Sequence, residues 1–190
     1  MDNEKITDLY KIKIGCLWDS LKRFDNYIYS VNFKCGLLAT FNSALFGAVI
    51  LKSGEILNEA SGTTRVIIQI ELVAIAITSL ISTFWVLKSI WPNLTSGSLD
   101  GAPKQPSLFF FASIATKYTA ETYAERFNAV TSKELEIDLA TQVHEVATIT
   151  LDKMKKISTA SKVAACNLFL LMLLLATFFT STYEVQLCQG

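Results

Sequence analysis

Apolar residues concentrate in three segments of the chain, and charged residues separate these segments. The first segment, residues 35–51, is near the short limit for crossing the hydrocarbon core of a bilayer, and the second, residues 66–87, is long enough. The third, residues 163–183, contains no charged residue and gives the clearest pattern. A soluble helical hairpin could explain the first two segments but not easily the third. We therefore expect three transmembrane helices.

The remaining sequence has helical periodicity and no strand pattern. Residues 1–34 place apolar side chains at helical spacing and predict an amphipathic arm. A linker rich in proline, glycine and serine follows Trp91, and Thr119 is suited to cap a helix. The stretch TSKE, residues 131–134, is a capping-box pattern. Because proline and glycine are absent from 132 to 183, the third span should continue a long helix from outside the bilayer.

The lysine and arginine residues near the ends of the spans predict the orientation. Lys34 precedes the first span, and four lysines between residues 153 and 162 precede the third, whereas the connection of residues 52–65 has balanced charge. Basic residues favour the cytoplasmic side. We expect a multi-pass membrane protein with a cytoplasmic N-terminus and an external C-terminus.

The expected fold is thus an all-α membrane protein with three transmembrane helices and a cytoplasmic helical layer, assembled as a homo-oligomeric bundle. Its predicted parts are listed in chain order: the cytoplasmic arm 1–34, the transmembrane hairpin 35–87, the cytoplasmic helical domain 88–162, the third span 163–183 and the external tail 184–190.

Composition agrees with a membrane protein and argues against an enzyme. Hydrophobic residues make up 51% of the chain, and the mean hydropathy is +0.37. The formal net charge is zero, so we expect no double-stranded DNA partner. The four cysteines have no metal-binding spacing, and His144 is the only histidine, so we expect no metal, no catalytic residues and no resident cofactor.

Two groups of polar residues stand out from this background. The basic stretch around Lys153 and Lys156 anchors the chain at the membrane surface, or else binds phosphate together with Arg126 and Lys117.

The second group of polar residues lies within or beside the spans. These side chains either bond between helices or line a pore made by several copies, because three helices enclose no useful channel. The pore or interhelical candidates are Asn42, Gln69, Glu71, Asn167 and, at the mouth of the first span, Lys34.

Four short blocks along residues 25–180 follow one another in a characteristic order. They are NFKCGLLATFNSALFG, the Trp-Pro pair after the second span, LFFFASIATKYTAETY, and QVHEVATITLDKMKKISTA. The positions that carry the match are Lys34, Asn42, Trp91, Pro92, Tyr123, Gln142, Ile149 and Lys153. In these blocks the chain resembles the Pycsar transmembrane effector family of bacterial anti-phage defence. Asn32 stands where that family usually has Asp, and His144 and Ala147 depart from its pattern in the last block.

The resemblance implies a membrane effector controlled by a nucleotide signal that a partner nucleotidyltransferase or cyclase makes. The signal would be a cyclic pyrimidine nucleotide, or a short oligonucleotide as in the similar Hailong effectors, and it could open or close the pore. The activated effector would permeabilise the inner membrane of the infected cell. Its partners would be the lipid bilayer and copies of itself, with a homotetramer preferred. The candidate ligand-binding residues are Lys153, Lys156, Arg126, Lys117, Gln142 and His144.

Two other functions remain open from the sequence. A structural or scaffolding membrane protein could bind a partner protein through the cytoplasmic helices. A pore held shut by a protein antitoxin is the third possibility. In the effector hypothesis, Asn42 faces the central axis or a neighbouring subunit, and a shift at Lys153 is transmitted along the last helix to the third span.

Overall fold

The computed structural model describes the backbone of residues 2–91 and 106–189, and the side chains of residues 7–91 and 106–181. Every regular element in this part of the chain is an α-helix, which confirms the predicted all-α fold class. The five helices are α1 (Asp2–Glu59), α2 (Gly62–Ile90), α3 (Phe111–Lys117), α4 (Ala120–Ala129) and α5 (Ser132–Gln189). Most of the predicted linker after Trp91 and the side chains of the predicted tail lie outside the described residues.

Three of the helices are long and apolar enough to cross a membrane. The qualifying stretches are Thr7–Glu59, Gly62–Ile90 and Ser132–Ser181. They contain the first two segments that the hydropathy pattern predicts and residues 163–181 of the third, so the number of spans is confirmed. The helices α1 and α5 have 58 residues each, far more than the roughly 20 that a bilayer requires. Each of them therefore has a long polar extension as well as an apolar segment.

The turn between α1 and α2 is shorter than the connection predicted over residues 52–65. The predicted connection, residues 52–65, is mostly helical, because α1 continues to Glu59 and α2 begins at Gly62. An ion pair between Lys52 and Glu55, with 2.7 Å between nitrogen and oxygen, supports the last turns of α1. Gly62 has a φ angle of +56°, a left-handed conformation that glycine adopts without steric cost. The reversal of chain direction is thus confined to a tight turn.

The ends of the other helices follow from local sequence. Trp91, at the C-cap of α2, has a ψ angle of 128°, as expected for a residue that precedes a proline. The Thr119 side chain caps α4, as predicted, by accepting a hydrogen bond from the backbone N–H of Thr122. At the start of α5, the Glu134 carboxylate accepts from the backbone N–H of Thr131 at 2.9 Å, and the Thr131 hydroxyl accepts from the N–H of Glu134 at 3.3 Å. This is the predicted capping box.

The chain forms two compact units, and α1 and α5 contribute to both of them. The connector unit comprises residues 1–30 and 92–152, and the membrane unit comprises residues 31–91 and 153–190. The predicted domain boundaries at residues 34, 87 and 162 stay a prediction, because compact units are defined by contacts and not by the edges of a bilayer.

In the connector unit, hydrogen bonds to residues of α4 and α5 hold the segment before α3 in place. The backbone N–H of the buried Leu108 donates to Asp138 at 2.8 Å, and the Tyr123 hydroxyl donates to the Leu108 carbonyl at 3.0 Å. The ring of Phe109 packs edge-on against Trp18, with 5.6 Å between centroids. An ion pair of 3.2 Å joins Lys13 to Glu136.

The membrane unit has two apolar clusters. One contains residues of all three long helices, namely Val31, Cys35, Val86, Ile157 and Ala160. The other contains Ala60, Ile68, Leu72, Ile75 and Leu174. Four buried polar residues lie between these two clusters along the three helices: Asn42, Ser79, Ser82 and Asn167.

Candidate functional site: the serine seam of the membrane unit

The buried face of α2 follows a regular heptad pattern. Its buried residues are Ile68, Leu72, Ile75, Ser79, Ser82, Val86 and Ser89, separated alternately by four and three positions. This spacing directs one stripe of a helix toward its neighbours. The first half of the stripe is aliphatic, whereas the second half contains three serines. We call Ser79, Ser82 and Ser89 the serine seam.

At the middle of the serine seam, Ser82 connects all three long helices. The Asn42 side chain in α1 is fully buried, and its Nδ2 donates to the Ser82 hydroxyl at 2.8 Å. The Ser82 hydroxyl donates its single proton to the backbone carbonyl of Ala160 in α5 at 3.0 Å. Because that proton is used, Ser82 must accept from the Asn42 amide. The network thereby fixes the orientation of the amide group.

The other end of the Asn42 amide has no hydrogen-bond partner among the described residues. Its Oδ1 atom is the one buried side-chain nitrogen or oxygen in the described part of the chain that lacks one. Leaving a buried acceptor unsatisfied costs about 1–3 kcal/mol. This arrangement of the helices therefore leaves the Asn42 side chain with an unsatisfied hydrogen-bond acceptor.

One helical turn away, Asn167 makes a second polar junction. Its Nδ2 donates to the Ser79 hydroxyl at 3.1 Å, and its Oδ1 accepts from the hydroxyl of Thr78. The Asn167 side chain is fully buried, and both ends of its amide are bonded. Two asparagines on different helices thus meet neighbouring serines of α2, in a region where lipid would offer them no hydrogen bond.

The two polar side chains near the start of α2 have different environments. Glu71 is partly buried, and its carboxylate accepts a hydrogen bond of 2.8 Å from the Thr177 hydroxyl of α5. Gln69 is exposed on the surface of the membrane unit. A carboxylate inside an apolar span is costly and usually faces a partner or water, and Thr177 is the partner of Glu71.

At the end of the serine seam, Ser89 and Lys153 bond to each other twice. The Lys153 ammonium donates to the Ser89 carbonyl at 2.6 Å, and the Ser89 hydroxyl donates to the Lys153 carbonyl at 3.3 Å. The carbonyls in the last turn of a helix have no partner within the helix and form its negative pole. Lys153 therefore provides a hydrogen-bond donor to one of these carbonyls and places a positive charge at the C-terminal end of α2. Lys156 is half-buried in the same unit, and Lys34 is exposed there.

The other candidate ligand-binding residues belong to the connector unit. Arg126 forms an ion pair of 3.2 Å with Glu134, while Lys117 and His144 are exposed and Gln142 is buried. The hydrogen bonds from Thr131, together with Arg126, hold the pKa of Glu134 below its usual 4.5.

Tyr118 is partly buried, and this desolvation raises the pKa of its phenol above 10, although the positive charge of Arg126 opposes the shift. The Tyr118 hydroxyl donates to the carbonyl of Pro106 at 2.7 Å. The described residues include no group of three or more histidine, cysteine or acidic side chains that could hold a metal ion.

A family comparison identifies the chain. The sequence model of the Pycsar effector protein domain matches residues 16–180, which is most of the protein. The chain belongs to the Pycsar effector family. No curated protein and no solved structure is significantly similar to it. This Pycsar effector is therefore an anti-phage defence membrane effector, and the matched region includes the serine seam, its two asparagine partners and Lys153.

Sequence reasoning missed the hydroxyl residues of this Pycsar effector. Ser79, Ser82, Ser89, Thr78 and Thr177 are all partners of predicted residues, and none was predicted as a functional residue. The heptad spacing of the serines in α2 was the available signal, since small polar residues on the buried stripe of a transmembrane helix commonly bond to other helices. Hydropathy averages hide this signal because serine and threonine are only weakly polar.

Proposed function

We propose that this effector is a homo-oligomeric pore in the bacterial inner membrane and that a nucleotide signal controls its opening. The observation that carries the proposal is the row of amide, hydroxyl and carboxylate groups within three apolar helices. Asn42, Asn167 and Glu71 would be costly in lipid, and polar residues at such positions commonly mark paths for ions or water. Three helices enclose no useful channel, so the pore requires several copies, and we favour a homotetramer.

The described conformation fits a resting state. Asn42 is fully buried against Ser82, and Asn167 is fully buried against Ser79. Hydrogen bonds between transmembrane helices contribute about 0.6 kcal/mol on average, so each can be exchanged for water at small cost. In our proposal the helices rearrange on activation and the two asparagines become hydrated. The unused acceptor of Asn42 favours this exchange.

The proposed ligand is a cyclic pyrimidine nucleotide or a short oligonucleotide, made by a partner nucleotidyltransferase or cyclase. Its phosphates would bind ammonium groups, and Lys153 and Lys156 are the first candidates in the membrane unit. A phosphate on Lys153 would compete with the Ser89 carbonyl and release the end of α2. Arg126, Lys117, Gln142 and His144 form the second candidate set, and a ligand on Arg126 would compete with Glu134.

The proposal also includes an orientation in the membrane and an action that requires no catalysis. Six lysines lie at the Lys153 end of the membrane unit, so we place this end on the cytoplasmic side. The N-terminus is then inside and the C-terminus outside. Permeabilisation needs no catalytic residue or resident cofactor, and the effector would act without chemistry of its own.

Dye release from vesicles tests this function. The purified protein is reconstituted into vesicles of phosphatidylethanolamine and phosphatidylglycerol, and cyclic CMP, cyclic UMP or short oligodeoxynucleotides are added. A change in release with one of these compounds supports nucleotide control, and its direction distinguishes an activator from an inhibitor. A folded, oligomeric protein that releases no dye under any condition would favour the scaffolding function instead.

A further inference from the structure

One end of the membrane unit carries a dense positive charge. The apolar cluster of Val31, Cys35, Val86, Ile157 and Ala160 places the corresponding turns of α1, α2 and α5 side by side. Six lysines lie in these turns or close to them, and we call them the lysine end: Lys34, Lys88, Lys153, Lys155, Lys156 and Lys162.

Carboxylates are nearly absent from the same level of the helices. Residues 31–41, 81–91 and 153–163 contain no aspartate or glutamate, and Asp152 directly precedes the last of these segments. The opposite end of the membrane unit differs, because Lys52 is paired with Glu55 at 2.7 Å and the nearby Glu59 and Arg65 balance one another in charge. The charge is therefore concentrated at one end.

Four of the six lysines present their side chains at the surface. Lys34, Lys88, Lys155 and Lys162 are exposed, and none of them forms an ion pair in the described part of the chain. They are distributed over three helices. A small soluble anion is best bound by groups that converge on one point, whereas a ring of lipid headgroups meets each helix separately.

Exposed aromatic rings accompany these lysines. Phe33 is 61% exposed, Phe84 is 60% exposed and Trp91 is 76% exposed. The Lys88 ammonium lies 5.3 Å from the centroid of the Trp85 ring. Aromatic rings prefer the boundary between headgroups and acyl chains, and lysines beside them reach the headgroup phosphates. The combination matches the boundary of a bilayer.

We propose that the lysine end is a binding surface for anionic phospholipid headgroups, with Lys34, Lys88, Lys155 and Lys162 as the residues that contact the phosphates. The lipid is a partner of the folded effector and not only its solvent. The proposal goes beyond the proposed function and stands without it, since an effector with no pore activity would still bind the lipid.

Native mass spectrometry of the whole protein in a neutral detergent tests the proposal. The protein is titrated with phosphatidylglycerol and, separately, with phosphatidylcholine. The variant K34Q/K88Q/K155Q/K162Q is compared with K11Q/K22Q/K52Q/K133Q, which removes the same number of charges from exposed lysines elsewhere. A lysine near an anionic surface contributes about fivefold in affinity, so the first variant should bind phosphatidylglycerol at least tenfold more weakly than the wild type.

The control variant should bind phosphatidylglycerol like the wild type, and phosphatidylcholine should bind weakly to all three proteins. The half-variants K34Q/K88Q and K155Q/K162Q should each lose part of the affinity, which keeps the test available if the fourfold variant does not fold. Equal binding of phosphatidylglycerol by the first variant and the control would overturn the proposal. Competition by millimolar inorganic phosphate that removes the lipid completely would also overturn it and indicate a site for a free phosphate.

Discussion

The ammonium of Lys153 lies 2.6 Å from the carbonyl oxygen of Ser89, and the hydroxyl of Ser89 donates to the carbonyl of Lys153 at 3.3 Å. This reciprocal pair joins the last turn of α2 to α5. Since Lys153 is also the first candidate for binding a phosphate, the same charge can serve the ligand or the helix end, but not both at full strength.

Replacing Lys153 with methionine should destabilise the membrane unit. The methionine keeps the apolar stem but loses a charged hydrogen bond, and the Ser89 carbonyl loses its partner, so we expect a loss of about 1–3 kcal/mol in the free energy of unfolding. Lys155→Met, at an exposed neighbouring position, should change it by less than about 0.5 kcal/mol. Denaturant unfolding in detergent micelles measures both values. Equal effects of the two substitutions would contradict the role of Lys153 at the helix end.

The serine seam should depend more on Ser82 than on Asn42. Ser82→Ala removes the partner of the Asn42 amide and of the Ala160 carbonyl, and we expect a loss of about 1–2 kcal/mol. Asn42→Leu removes one of these bonds but also the unsatisfied Oδ1, so its loss should be smaller. The same unfolding experiment ranks the two variants. A larger loss for Asn42→Leu would show that Oδ1 has a partner that the described residues do not include.

Asn42→Leu should nevertheless impair the effector, because the proposed pore hydrates this amide. We expect the rate of dye release from vesicles to fall at least tenfold, while the protein remains folded and oligomeric. Ser43→Ala is the matched control, since Ser43 is exposed and adjacent to Asn42 in α1. If Asn42→Leu leaves dye release and oligomer formation unchanged, the proposed role of Asn42 is wrong.

The start of α5 should lose stability in acid. The hydrogen bonds from Thr131 and the Arg126 guanidinium lower the pKa of Glu134 in the folded protein below 4.5. A lowered pKa means that the ionised carboxylate stabilises the fold fully above pH 4.5 and that this contribution disappears as the pH falls through the folded value. Glu134→Gln keeps the shape of the side chain without the charge. The difference in unfolding free energy between the wild type and this variant should therefore shrink from about pH 6 to about pH 3; a constant difference would contradict the assignment.

The helical architecture could be predicted because its signals are local. Apolar segments of sufficient length predict the spans, and the TSKE stretch predicts the start of α5 from the reach of the Thr131 and Glu134 side chains. The turn between α1 and α2 was predicted too long, because charged residues such as Lys52 and Glu55 are typical of loops and also form stable helix surfaces. Hydropathy cannot distinguish these two cases.

The pairing of the polar residues could not be predicted, because it depends on how three helices are rotated about their axes. The sequence indicates that Asn42 and Asn167 need partners inside the membrane, but many serines and threonines are within reach. The structure selects Ser82 for one asparagine and Ser79 for the other. It also places Lys153 at the end of α2, which the positive-inside pattern alone does not suggest.

Current through planar bilayers is the most direct test of a nucleotide-controlled pore. The wild type and Lys153→Gln are compared before and after the addition of the compound that changes dye release. We expect discrete channel currents in the wild type that respond to the compound, and a response at least tenfold less sensitive in Lys153→Gln. An absence of current from a folded, oligomeric wild type, with and without every compound, would contradict the proposed pore function.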